Sequence, residues 1–186
     1  MIDKLNRNLA RAKRIEDSIR QRAFLRIGEI INGVEVLQFS LRHYTICLKV
    51  RSPFVCGGVL QVEDVGLFLW IVCPHYDPNN SEKRAEFLRQ LVRHPRWSLF
   101  YRAIGRYLDR AFMDAPPSVE GGKKISASYA AGMIHKVASV YGWEDDKILD
   151  TPLAALFQLL NWIAVDEHYN TPQFNLLQDR IKARMM

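Results

Sequence analysis

Val62-Glu63-Asp64-Val65-Gly66-Leu67-Phe68-Leu69-Trp70-Ile71-Val72-Cys73, closed by Pro74, is the stretch that decides the fold. After Asp64 it carries no charge, and apolar residues fall on every face of a helix wound through it. An element that is apolar all round has no side to offer water and belongs at the centre of a protein. The uncharged run is far shorter than the ~20 residues a membrane span requires, and Pro74 prevents it from continuing. The expectation is a buried helix covered by amphipathic ones.

Reading outward, the flanks supply those helices. Upstream, Leu5, Leu9, Ala12, Ile15 or Glu16, and Ile19 recur at three- and four-residue steps, predicting an amphipathic helix over 5–21. Residues 24–37 read equally as helix or strand, and the composition of 34–39 admits one short strand. Ser40 is placed to cap a helix over 41–51, with Leu41, Tyr44 or Thr45, and Leu48 facing inward. Pro53 stops it and 53–58 read as a loop. Downstream, a helix over 81–93 precedes one opened by Pro95, whose apolar stripe is Trp97, Tyr101, Ile104, Leu108 and Phe112. Pro116-Pro117 and Gly121-Gly122 mark a linker over 114–124. Ser126 caps a helix bearing Ala130, Ile134, Val137 or Ala138, and Tyr141, and Gly142 ends it. After an acidic single turn, Thr151 as N-cap and Pro152 as first residue open a helix with Leu153, Leu156, Phe157, Leu160 and Ile163 on one face. A last helix over 172–183 carries Phe174, Leu177 and Ile181.

The whole reads as all-α, an irregular bundle of seven to eight helices. Residues 1–113 form a basic N-terminal helix plus the main core, 114–124 a linker, and 125–186 a helical subdomain packed on that core. The expected core is Leu67, Phe68, Trp70, Ile71, Trp97, Ile104, Leu156, Phe157 and Leu160.

A chain of 186 residues with 48% hydrophobic residues buries a core without covalent staples. Cys47, Cys56 and Cys73 are odd in number and form no Cys-x-x-Cys step, as in a protein of a reducing compartment. Residues 1–14 are polar and basic with no apolar leader, so the expected location is the cytosol. The net charge of +6 is unevenly spread. Residues 1–26 and residues 82–110 each hold eight Lys or Arg against three acids, on a body that is otherwise mildly acidic. That asymmetry bears on partners rather than on fold.

Few residues suggest chemistry. His43 and Cys47 lie four apart on one helical face, and with Cys73 and His75 they would make a two-sulfur, two-imidazole zinc set. Buried free cysteines at the edge of apolar runs explain the same residues more plainly. Gly121-Gly122-Lys123-Lys124 lacks the glycine and the Ser or Thr that a phosphate loop needs. The carboxylates of Glu144-Asp145-Asp146 and Asp166-Glu167 are consecutive and cannot converge, and the first group suits a helix start. No nucleophile, base and orienting group are set out, so neither an enzyme nor a cofactor is expected. Arg89, Arg93, Arg96, Arg102, Arg106 and Arg110, interleaved with Trp97, Phe100 and Tyr101, would suit nucleic-acid phosphates, although an ordinary exposed helix face looks the same. The N-terminal helix lacks the Trp or Phe usual on membrane-surface helices and fits better as a docking helix, with no membrane as partner.

One segment resembles a known group. Tyr141-Gly142-Trp143, a polar turn, Ile148-Leu149 and then Pro152-Leu153, continued by Leu156 and Gln158, is similar to small all-helical proteins encoded among the tail-morphogenesis genes of tailed bacteriophages and prophages. A fainter echo lies in Arg42-His43-Tyr44 and in the stretch from Val62 to Trp70. Together these cover about a quarter of the chain. Glu144 stands where such proteins often place a capping Ser or Thr, and the two basic segments have no counterpart there. The resemblance implies a non-enzymatic tail assembly chaperone-like protein of the host cytoplasm or the virion. Its partner would be the tape measure protein or a tail-tube subunit, received on apolar helical surfaces, with homo-oligomers allowed. The residues expected to receive that partner are Leu5, Leu9, Trp143, Leu153 and Phe157. The alternative is a basic nucleic-acid-associated structural protein using the arginine-rich helix and the N-terminal segment.

Overall fold

The computed structural model describes the backbone of residues 2–92, 97–115 and 127–169, and side chains over 7–92, 98–115 and 129–165. Within these the chain is all-α with one hairpin. The elements are α1 (Ile2–Phe24), β1 (Glu29–Ile31), β2 (Val34–Val36), α2 (Leu41–Lys49), α3 (Pro53–Cys56), α4 (Val62–Val72), α5 (Ser81–Val92), α6 (Trp97–Ala111), α7 (Ala127–Tyr141), α8 (Asp145–Leu149) and α9 (Leu153–Tyr169). Pro95, Ser126, most of the expected linker and the expected helix over 172–183 lie outside the described residues, as do the side chains of Leu5 and Trp97.

The α4 helix is the central element the sequence predicts. Val65, Phe68, Leu69, Trp70, Ile71 and Val72 are all buried. Asp64 accepts a hydrogen bond from the Gln61 N–H at 2.8 Å, satisfying a donor at the helix start. Helix α5 crosses so closely at Gly66 that a Cβ there would stand 2.6 Å from Leu88 Cδ2. Trp70 packs toward α5, its ring 5.4 Å from Phe87 and 5.9 Å from Tyr76. The deeper core gathers around Phe39, whose ring lies about 6 Å from those of Phe68, Tyr107, Phe112 and His43. Phe112 in turn meets Phe157 of α9, so α4, α6 and α9 share one core.

The extended segment 37–40 stitches these helices. Its Leu37 N–H donates to the Val72 carbonyl at 2.8 Å, one of the orphan acceptors at the end of α4. The Leu37 carbonyl accepts from the Tyr107 hydroxyl at 2.6 Å. The Phe39 carbonyl takes the Leu153 N–H at 2.8 Å, and Ser40 forms a β-bridge with Pro152. Ser40 also caps α2 as expected, its hydroxyl accepting from the His43 N–H while the His43 ring accepts from the Ser40 N–H.

Several expectations need correction. Residues 29–36 form an antiparallel hairpin, so the strand expected at 34–39 has a partner and ends earlier. Asn32 and Gly33, with φ of 47° and 88°, make the tight turn, and both positive angles suit the right-handed twist of the strands. In α2 the inward residue is Cys47, while Leu48 and Thr45 face solvent, because the buried stripe follows Leu41, His43, Tyr44 and Cys47. Residues 53–56 form one helical turn rather than a loop. Thr151 does not cap α9: its hydroxyl donates back to the Lys147 carbonyl at 2.8 Å, closing α8, and Phe39 supplies the acceptor at the start of α9. Gly142 ends α7 as expected, at φ +63°, with its N–H on the Ala138 carbonyl.

Candidate functional site

The most exposed regular element is α1. It spans 23 residues, about 34 Å at 1.5 Å per residue, yet residues 7–18 are solvent-exposed throughout. Its C-terminal end packs on the rest of the molecule. Ala23 is fully buried against Ala154 and Ala155 of α9, Phe24 stacks on Trp162 at 5.5 Å, and Arg20 binds Asp114. Glu16 and Asp17 turn toward Arg20, at 3.8 and 3.3 Å. Arg11, Lys13 and Arg14 make no ion pair among the described residues. Leu9 and Ile15 are 59% and 53% exposed, and on the adjoining α9 Trp162 and Val165 are exposed as well. The outer part of α1 is thus an amphipathic, cationic helix whose apolar face covers nothing of its own chain among the described residues.

The residues expected to receive a partner divide sharply. Leu9 is on this exposed face. Trp143 is half-buried, with the Lys147 ammonium 4.1 Å from its ring centroid and Tyr141 5.7 Å away. Leu153 and Phe157 are not surface residues at all: both are essentially fully buried. The cause is that α9 opens with Leu153, Ala154, Ala155, Leu156, Phe157, Gln158 and Leu159, all buried, so its first turns pack on every side as α4 does. They belong to the core, not to a groove.

The arginine stripe also breaks up. Arg110 pairs with Glu29 of the hairpin, and Arg89 donates to the Ala85 carbonyl of its own helix. Arg93 and Arg96 lie outside the described residues. Phe100 is fully buried and Tyr101 half-buried, so the stripe lacks the stacking platform that Phe100 was expected to help form. Arg102 and Arg106 remain exposed and make no ion pair among the described residues. They line an open depression of about 440 Å³ with Asn32, Leu99, Gly105 and Asp109. Sequence reasoning missed the part played by Asn32, because that needs the hairpin to be folded back beside α6. The Asn32-Gly33 turn was the available signal.

The zinc set does not assemble. Among the described residues no three His, Cys, Asp or Glu groups come together to hold a metal ion. His43 is committed to Ser40, its Nδ1 accepting at 3.1 Å, and burial lowers its pKa to about 4. Burial likewise pushes the Cys47 thiol up to about 12 and raises that of Cys73, so both are protonated, poor ligands. Arg42, in the Arg42-His43-Tyr44 step, reaches Asp146 at 2.8 Å and also Asp150. This clamp fixes α8 against α2. No protein-family model, no curated protein and no solved structure matches this chain.

Proposed function

We propose that this protein is a non-enzymatic binding protein that docks a protein partner on the outer part of α1. What carries this reading is the exposed amphipathic face of α1, with Leu9 and Ile15 toward solvent over residues that pack on nothing else described. Isolated helices of ~12–15 residues are marginal in water, so a partner groove is the natural stabiliser. The flanking Arg11, Lys13 and Arg14 call for acidic residues on the rim of that groove. Burying two aliphatic side chains yields roughly 3–6 kcal/mol, no more than the lower part of the ~4–15 kcal/mol that association costs. The partner must therefore also cover Trp162 and Val165 or pair the cations. The resemblance over 141–160 supports a tail tape measure or tube subunit as that partner, and a chaperone-like role in keeping it unassembled. Among the described residues no helix is long and apolar enough to cross a membrane.

Co-expression with the tape measure and tube proteins encoded nearest to its gene tests the proposal. A complex that survives gel filtration and is lost in Leu9→Glu/Ile15→Glu, with the helical content unchanged, is the expected result. Absence of a complex with either protein overturns the tail reading. A wild-type homodimer that the double variant splits into monomers assigns the face to a second copy and overturns the hetero-partner reading.

A further inference from the structure

The depression between α6 and the hairpin tip has the chemistry of an anion site, and none of its lining residues belongs to α1. Leu99, Arg102, Gly105, Arg106 and Asp109 come from successive turns of α6, and Asn32 from the β1–β2 turn. Arg102 and Arg106 are four apart, so their stems leave the helix about 5–6 Å from one another on one face. Beside them Gly105 leaves the lining bare: a Cβ built there meets no atom within 4 Å. Glycine in mid-helix costs about 1 kcal/mol relative to alanine, and neither a positive φ nor close packing requires it at this position.

The geometry points to a binding site for a small phosphate-bearing ligand, held by Arg102 and Arg106 beside Gly105. Two planar guanidinium forks suit a tetrahedral dianion, which accepts from both at once, whereas one fork already satisfies a carboxylate. Asn32 offers an amide that donates or accepts to the remainder of the ligand, and Leu99 gives an apolar wall. Asp109 is the single acid of the lining. The volume sits in the lower part of the ~300–1,000 Å³ range of small-ligand sites. A nucleic-acid track is less well served. Arg110, the next basic residue along the helix, is taken by Glu29, and two phosphate contacts would give a log K against log salt slope of only about −2.

Calorimetric titration of the full chain at low salt with inorganic phosphate, pyrophosphate, acetate and a mixed-sequence single-stranded oligonucleotide tests the site. Saturable binding of phosphate or pyrophosphate, at least tenfold tighter than acetate, is expected. It should weaken about tenfold or more in Arg102→Gln or Arg106→Gln, vanish in Gly105→Leu, and stay unchanged in Arg89→Gln and in Leu9→Glu/Ile15→Glu. In the unaltered protein, the side-chain Nε–H signals of Arg102 and Arg106 should be the arginine signals that move on adding phosphate. No saturable phosphate binding, binding unaltered in the Arg102→Gln/Arg106→Gln protein, or oligonucleotide binding with a salt slope steeper than about −2 would each overturn the assignment. The last outcome would reveal a polymer track in place of a small-ligand site.

Discussion

Arg20 of α1 grips Asp114, just past the end of α6, with two parallel hydrogen bonds, from Nε at 3.0 Å and Nη2 at 2.9 Å. Gln158 of α9 donates to the same carboxylate at 3.2 Å, so one acid ties three helices together. The hydrogen bond from Arg20 holds the Asp114 carboxyl below its usual range, against the opposing effect of burial. This pair lies at the base of the proposed docking helix, where Arg22 also donates to the Gly28 carbonyl at 3.0 Å.

A double-mutant cycle of Arg20→Ala and Asp114→Ala in urea unfolding should therefore give a coupling of about 1–3 kcal/mol. The Arg20–Asp17 pair, within one helix and more exposed, should give about 0.3–0.5 kcal/mol. Because the Asp114 pKa is depressed on folding, its contribution is present above the ordinary carboxylate pKa of about 3.9 and is lost as pH falls below it. Asp114→Asn should remove that acid-limb dependence. Equal couplings for the two pairs would show that the bidentate contact gives no more than a surface ion pair.

His43 sets a second pH dependence, in the mildly acidic range. Its ring is buried beside Ser40, accepts hydrogen bonds at Nδ1, and has a pKa lowered to about 4. In the unfolded chain the same ring binds its proton near pH 6.5. Between those values the unfolded state holds more protons, so stability rises with pH. The contribution is complete above about pH 6.5 and is lost as pH falls to about 4, on the order of 3 kcal/mol in all. His43→Gln should be less stable at pH 7.5 and should flatten the pH 4–6.5 portion of the stability curve. An unchanged slope in that interval would count against a neutral, buried His43.

Much of this fold was legible because its causes are local. All-round apolarity of 62–73, Ser40 as a cap and Gly142 as a stop depend on a few neighbouring residues, and each is found in place. What was not legible depends on distant partners. Thr151 followed by Pro152 looks like a helix start, but the acceptor for the first turn of α9 comes from Phe39. Apolar residues at 153 and 157 look the same in sequence whether they face a core or a groove, and burial alone separates them. Arg110 matches Arg102 and Arg106 in spacing, and only the hairpin that brings Glu29 beside it removes it from the set. The hairpin itself was signalled by Asn32-Gly33.

The division between core and docking surface gives a direct contrast. Leu153→Ala should cost about 2–5 kcal/mol by emptying a buried site. Leu9→Ala, at an exposed position, should change stability by no more than about 0.5 kcal/mol. Chemical denaturation of the two variants checks this. A large loss at Leu9 would mean that α1 is covered within the molecule, and the proposed docking face would not exist.

Tyr107 tests whether segment 37–40 holds the helices together. Its ring is buried and its hydroxyl donates to the Leu37 carbonyl at 2.6 Å, on the residue whose N–H caps α4. Tyr107→Phe keeps the ring and removes the donor, leaving the Leu37 carbonyl without it, so a loss of about 1–2 kcal/mol is expected. Burial raises the phenol well above its ordinary pKa of about 10. The unfolded chain therefore loses this proton first on alkaline titration, and stability present below pH 10 declines as pH rises beyond it. Tyr107→Phe should show less of that alkaline decline when the two proteins are unfolded in urea at a series of pH values above about 9. An alkaline decline equally steep in both proteins would show that the hydroxyl is open to water and that the link from α6 to segment 37–40 is not closed.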